Sequence, residues 1–233
     1  MKPLAFDIET IKDESKEAML PEPEASKNIK DPEKVKEDIA KKKAAMIDKM
    51  GLSPFTGRIC SFAVYGEEKA MQYSNTIKKI RDTDETWLID NIFTLLSKIS
   101  ATHTIITWNG MNFDFPYIYK RAACLSIPLP AGCSAMEYWT RKYSKFPHCD
   151  LMQELAGWRR EECENLDSMG KLLLGVGKTE RDYMYYVDHI KSGKSEKIGV
   201  DNLCDAKLTY DLYNKFSPYL FTKGSEQIHR NDY

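Results

Sequence analysis

No stretch of this 233-residue chain approaches the roughly 18 apolar residues that a membrane-spanning helix needs, and its start lacks the basic-then-apolar form of an export signal. The expectation is a cytoplasmic protein without membrane contact. An excess of one charge is missing too: 34 lysines and arginines face 35 aspartates and glutamates, for a net charge of −1. Any hold on a polyanion must then come from local patches or bound metal. The six cysteines include no C-x-x-C pair, so reduced thiols are expected rather than a disulfide framework. A zinc site built from His148, Cys149 and Cys163 would match none of the usual ligand spacings. His103 lies in a strand pattern, His189 and His229 have no evident partner, and all three read as structural. No internal repeat or low-complexity tract occurs, and the length suits one large domain over residues 1–233.

Against these absences stands the opening "PLAFDIET". Side chains two apart on a strand share a face, so Leu4, Phe6 and Ile8 form one side while Asp7 and Glu9 stand together on the other. Two like charges held side by side repel. Either this is a solvated acidic edge, or the two carboxylates are oxygen ligands for a hard divalent cation.

A polar, proline-bearing excursion follows, then "DPEKVKEDIAKKKAAMIDKMG", where Asp31 as N-cap, Pro32 at the first turn and Gly51 past the end frame a helix. Val35, Ile39, Met46 and Met50 line one side, and the other is lysine-rich. Residues 27–49 hold eight lysines against five acids, so this insertion, at about 11–50, offers either a phosphate-contacting face or a plain solvated one. "RICSFAVYG" and "KAMQYSN" read as a hairpin, "TWLIDNIFTLLSKI" as a helix with Trp87, Leu88, Ile92, Leu95 and Leu96 at helical spacing, and "THTIITWNG" as a strand. "FDFPYIYKRAACL" and four later segments read as helices. Early strands with helices between and after them predict an α/β fold with a mixed sheet flanked by helices.

Two further acids bear on the opening pair. Asp114 follows the strand "TIITW" at its end, where α/β folds place their sites. Asp205 adjoins the apolar series Val200, Cys204, Leu208, Leu212 and Phe216 of the last long helix, so it should face the sheet. Buried carboxylates must be paired or bound to metal, and no matching run of arginines is visible.

With these residues in place, the sequence resembles the DEDD, or DnaQ-like, 3′–5′ exonucleases of the ribonuclease H-like fold. "FDIET" matches D-x-E, "NGMNFD" matches N-x-x-x-F-D, and "CDAKLTYDLY" matches the end of the third motif. "SPFTGRICSFAVYG", "HCDLMQELAG" and "NLDSMGKLLLGVGK" are similar to the stand-alone, polymerase-B-like branch. The resemblance implies two Mg²⁺ or Mn²⁺ ions about 4 Å apart, held by Asp7, Glu9, Asp114 and Asp205. It also implies hydrolysis of single-stranded or frayed 3′ ends to nucleoside monophosphates, with DNA favoured over RNA. Thr10, Asn109, Phe113 and Lys178 are the expected substrate contacts. The alternatives are a 3′–5′ exoribonuclease and a weakened module that only binds nucleic-acid ends. A proofreading role would need a polymerase or another replication or repair partner.

Where the family places a tyrosine four residues before the final acid, or a histidine five before it, this chain has Asp201 and Val200. Asp201 could position or deprotonate the attacking water, bind metal, or cap the helix after Gly199. "LLLGVGKTE" imitates a phosphate-binding loop through Gly177, Lys178 and Thr179, but leucine occupies position 172, where that motif needs glycine. "MEYWTRKYSKF" interleaves Tyr138, Trp139, Tyr143 and Phe146 with Arg141, Lys142 and Lys145. That is the composition of a single-strand stacking platform, or of a surface loop whose aromatics tuck inward.

Overall fold

The computed structural model describes residues 1–67, 69–74, 82–178, 183–192 and 194–221. Strand β1 (Lys2–Lys12) leads through a 3₁₀ turn at Glu14–Met19 to α1 (Pro32–Asp48) and a second turn at Met50–Leu52. The chain then forms β2 (Gly57–Gly66), β3 (Lys69–Ser74), α2 (Asp82–Ile99), β4 (His103–Thr107), α3 (Asp114–Cys124), α4 (Met136–Trp139), β5 (His148–Asp150) and α5 (Leu151–Leu155). Helices α6 (Leu166–Leu174), α7 (Tyr183–Lys191) and α8 (Glu196–Leu220) complete it. The five strands run in the order β3-β2-β1-β4-β5. β1 is antiparallel to β2 and parallel to β4, and β5 is parallel to β4. This is the mixed, ribonuclease H-like sheet expected from the sequence.

The two faces of β1 take different partners. Leu4, Phe6 and Ile8 join Phe62, Val64 and Ile105 in a core with Leu88, Ile92 and Phe93 of α2 and Phe115 and Ile118 of α3. On the other face Ala5 and Ala63 meet Ala206 and Tyr210 of α8. Small side chains on both surfaces let α8 approach the strands that carry Asp7 and Glu9. In α2, Leu88, Ile92 and Leu96 are buried as expected, whereas Trp87 is exposed.

Three sequence expectations need correction. The α8 series was expected to be one buried side, yet Val200 is exposed, as is Cys204, while Leu208 and Leu212 are buried. A strict four-residue spacing advances about 40° per step on a 3.6-residue helix, so the series winds off the buried face. Asp205 nevertheless faces inward. Helix α1 starts on the Asp31 cap, whose carboxylate accepts from Glu33 and Lys34 N–H, but ends at Asp48. Gly51 is therefore no cap; a Cβ there would lie 3.2 Å from the Ile11 carbonyl carbon, so glycine serves a close backbone approach to β1. The strand β5 went unforeseen because its three residues, "HCD", are too few to show a period. The lysines of α1 are partly committed within the excursion: Lys42 pairs with Asp38 and bonds Glu24 O and Ser26 Oγ, and Lys43 pairs with Glu22.

A buried ion pair ties three elements together. Arg121 of α3 donates to both Glu85 oxygens, at 2.8 and 2.5 Å, and to Pro54 O at 3.2 Å, while Glu85 also accepts from Ile59 N–H of β2 at 2.8 Å. Glu85→Ala strands a buried guanidinium and should cost about 3–5 kcal/mol in urea unfolding. The double variant Glu85→Met/Arg121→Met should recover most of that loss.

His148 is likewise buried, with Nε2 2.7 Å from Thr107 Oγ1 and Nδ1 2.5 Å from Trp139 O. Burial holds its pKa down to about 4, against the pull of the Trp139 carbonyl. The unfolded chain protonates near 6.5, so this stabilising contribution is complete above about pH 6.5 and is lost as pH falls through about 4. Between pH 7 and 4, wild type should lose roughly 3 kcal/mol more unfolding free energy than His148→Gln.

Candidate active site

Asp7 and Glu9 leave β1 on the face that α8 covers, and Asp205 projects toward them from α8. One carboxylate oxygen from each lies within 4.8 Å of the other two. Three hard oxygen donors at that separation suit a small divalent cation such as Mg²⁺ or Mn²⁺ better than a softer metal. The register of β1 against β2 shifts between Glu9 and Thr10, and Cys60, opposite the shift, directs its thiol to Glu9 O at 3.4 Å. Such a bulge re-aims the side chains beside it.

Asp114 adjoins this trio without belonging to it. Its Oδ1 accepts from Ile8 N–H at 3.1 Å, which fixes the carboxylate between the two acids of β1. The loop that delivers it is tightly determined. Asn109 takes a left-handed φ of 68°, a region that asparagine tolerates. Gly110 lies so close to Thr107 that a Cβ would come within 2.4 Å of its hydroxyl. The buried Asp150 then accepts from Asn109 N–H and Met111 N–H, each at 3.0 Å, and caps α5 through Gln153 N–H. The sequence singles out neither Asp150 nor Thr107, and His148 stands out there only as a possible zinc ligand. The available signal was an aspartate at an extended residue directly before a helix, the pattern of an N-cap.

Charge is crowded here. Burial first, then Asp114 and Glu9, push Asp7 well above the ordinary carboxylate range, with Asp205 adding to the rise. Burial, then Asp150, lifts Asp114 to about 8 against the opposing Ile8 hydrogen bond. Two groups relieve the crowding. Lys178 carries its stem in solvent and its ammonium into the cluster, 2.6 Å from Asp205 Oδ2. Burial alone would lower its pKa, but Asp7, Asp205 and Glu9 outweigh that and keep it charged. Asn202, one turn before Asp205 and fully buried, donates to Asp7 Oδ2 at 2.6 Å, and its own carbonyl accepts from Ser61 Oγ at 3.3 Å.

A cavity of about 360 Å³ opens beside the acids. Its lining includes Asp7, Glu9, Thr10, Asn109, Phe113 and Asp114, with Lys178 at its edge. All four residues expected to touch substrate are therefore gathered in one place. Asp201 is not among the lining residues. Helix α8 starts at Glu196, after Ser195, so Asp201 lies inside the helix and cannot cap it. Its Oδ2 accepts from Tyr185 Oη of α7 at 2.6 Å, while the next residue, Tyr186, lines the cavity. The zinc arrangement fails: His148 meets Phe115 in the first core and Cys149 packs in a second core with Ile106 and Leu212. The loop 175–178 follows helix α6 rather than a strand; Thr179 and His229 lie outside the described residues.

Comparison with known proteins agrees with this geometry. Residues 54–228 match a family model described as "Predicted 3'-5' exonuclease related to the exonuclease domain of PolB". DNA polymerase 1 of Pyrococcus abyssi is 31% identical over 124 residues, which are 49% of this chain and 16% of that polymerase. DNA polymerase 1 of Aeropyrum pernix is 27% identical over 146 residues, or 58% of this chain and 14% of that one. The chain thus spans about a sixth of the length of these relatives. The family B DNA polymerase from Pyrobaculum calidifontis superposes with a TM-score of 0.59 at 15% identity, covering 94% of this chain and 25% of that one. With the family model covering well over half of its length, this chain belongs to the predicted 3′–5′ exonucleases related to the exonuclease domain of PolB.

Proposed function

We propose that the chain is a metal-dependent 3′–5′ exonuclease that removes nucleoside monophosphates from single-stranded or frayed DNA 3′ ends in the cytoplasm. The observation that carries this reading is the convergence of Asp7, Glu9 and Asp205 within 4.8 Å, with Asp7, Glu9 and Asp114 lining one open cavity. Mg²⁺ or Mn²⁺ held by these acids would activate water and stabilise the leaving 3′ oxygen. The remaining steps belong to the protein. Asn202 orients Asp7 through its amide, and the Ile8 N–H orients Asp114. Lys178 neutralises the acids until a phosphodiester enters and is then placed to pair with it. Phe113 and the exposed Leu52 give the cavity an apolar wall and lip, suited to an unpaired terminal base. DNA is favoured because the curated relatives are DNA polymerases. We take residues 11–50 as an insertion in a single 1–233 domain, with a polymerase or another replication or repair protein as its partner.

Release of mononucleotides from a 3′-labelled single strand, dependent on Mn²⁺ or Mg²⁺, tests the reading directly. Asp7→Ala, Glu9→Ala, Asp114→Ala and Asp205→Ala should each reduce release by about a hundredfold or more, the several kcal/mol that metal ions supply. Near-wild-type release by any two of them would overturn it.

Asp201 is assigned to positioning water through Tyr185 and the cavity-lining Tyr186. Asp201→Ala should lower turnover about tenfold, the low end of a proton-handling group, and Tyr185→Phe should lower it less. Metal affinity measured calorimetrically should stay unchanged in both; a weakened affinity would instead make Asp201 a ligand.

A further inference from the structure

The aromatic and basic segment at 136–146 divides in the folded chain. Trp139 is buried and stacks on Phe115 with ring centroids 5.2 Å apart, so it belongs to the core. Tyr143 does the opposite. It is 72% exposed, and its ring meets that of Trp158, from the segment after α5, at a centroid separation of 4.7 Å. Neither ring belongs to a hydrophobic core cluster.

Both residues adopt left-handed backbone, with φ of 64° at Tyr143 and 62° at Trp158. Bulky side chains rarely do so, and such conformations persist where surrounding structure enforces them. The enforcement is visible. Lys145 pairs with Glu154 of α5 at 3.5 Å, bonds Leu220 O at 3.2 Å and lies over the Phe221 ring, pinning the Tyr143 turn to α5 and the end of α8. Trp158 Nε1 donates to Glu154 Oε1 at 3.2 Å, and its own N–H to Gln153 O at 2.9 Å. One exposed and one half-buried aromatic ring are thus held together outside the hydrophobic core.

The charge beside them identifies the ligand class. Arg141 and Lys142 precede Tyr143, and Arg159 and Arg160 follow Trp158; all four are exposed, with Arg159 paired to Glu162. Rings that accept bases, flanked by cations that track phosphates, fit single-stranded nucleic acid. The position fits the cavity as well. Asp150, which holds the cavity loop, is joined to Trp158 by the five residues of α5 and two more. At helical and extended rises that chain spans at most roughly 20 Å.

We propose that Tyr143 and Trp158 form a stacking platform for bases of a single strand upstream of the 3′ end that occupies the cavity. The proposal rests on the exonuclease reading for its polarity. A strand threading away from the acids meets the platform after a few nucleotides, so long strands gain affinity that short ones lack.

The test uses the full chain in EDTA with 5′-fluorescein dT3 and dT15. Tyr143→Ala should weaken dT15 binding about tenfold and leave dT3 unchanged, while Tyr143→Phe, which keeps the ring, should bind both as wild type does. Trp108 lines the cavity and can respond to either strand, so saturating dT15 should quench tryptophan emission more than saturating dT3 in wild type, and Trp158→Phe should lose that difference. Lys142→Ala/Arg160→Ala should flatten the salt dependence for dT15 alone. Equal dT15 affinity in wild type and Tyr143→Ala overturns the platform, as does failure of wild type to prefer dT15 over dT3. Metal-dependent release of mononucleotides from dT3 then separates the two readings: if it persists, only the platform falls; if it is absent, the exonuclease reading falls with it.

Discussion

Putting several carboxylates where water is scarce is the constraint on which the rest of this structure depends. Asp7 and Glu9 share one face of β1 because a strand alternates, and the fold then adds Asp114 and Asp205 from elements more than a hundred residues away in the chain. Uncompensated, such a group costs several kcal/mol per charge. The surrounding sequence is organised to bear that cost. Alanines at Ala5, Ala63 and Ala206 bring α8 close. Asn202 and the Ile8 N–H satisfy individual oxygens, and Lys178 brings the one ammonium that the described residues place in ion-pair contact with the cluster. Raised carboxyl pKa values show that this relief is partial. A site left short of positive charge is poised to take up a cation.

Asp150 shows how precision reaches the site from behind. Its two oxygens hold the N–H groups of Asn109 and Met111, on a loop whose left turn at Asn109 aims the chain into α3. At the same time Asp150 raises the pKa of Asp114, so the anchor of the loop also sharpens the demand for cations at its tip. One side chain thus links the backbone geometry of the motif "NGMNFD" to its electrostatics. His148, two residues earlier on β5, holds Thr107 at the other end of the same turn.

Much of this was legible in the sequence, for physical reasons that differ by element. The face of β1, the hairpin β2–β3, and helices α2 and α3 have enough residues to display a period, and D-x-E with N-x-x-x-F-D marks five candidate site positions by residue type and spacing. Strand β5 was too short to show alternation. The buried face of α8 was misjudged because a four-residue repeat is not a helical repeat. Asp201 reads as a cap because it comes shortly after Gly199, but α8 begins at Glu196, after Ser195, whose side chain makes no capping bond. Asn202 and Asp150 act through hydrogen bonds to partners distant in the chain, and nothing local in a sequence marks a residue for a contact 195 positions away.

At Asp201 the fold brings a second helix to the motif. Four residues before the final acid, a side chain sits one turn along the same helical face, but aspartate is too short to span the distance that a phenol would. Here α7 packs beside α8 and supplies phenols of its own. Tyr185 donates to Asp201, and its neighbour Tyr186 enters the cavity wall. Successive residues on a helix point about 100° apart, so Tyr185 can engage α8 while Tyr186 lines the cavity and packs on Ile11 and Cys60. Asp201 thus meets α7 through one phenol, and the phenol in the cavity wall comes from α7 rather than from α8.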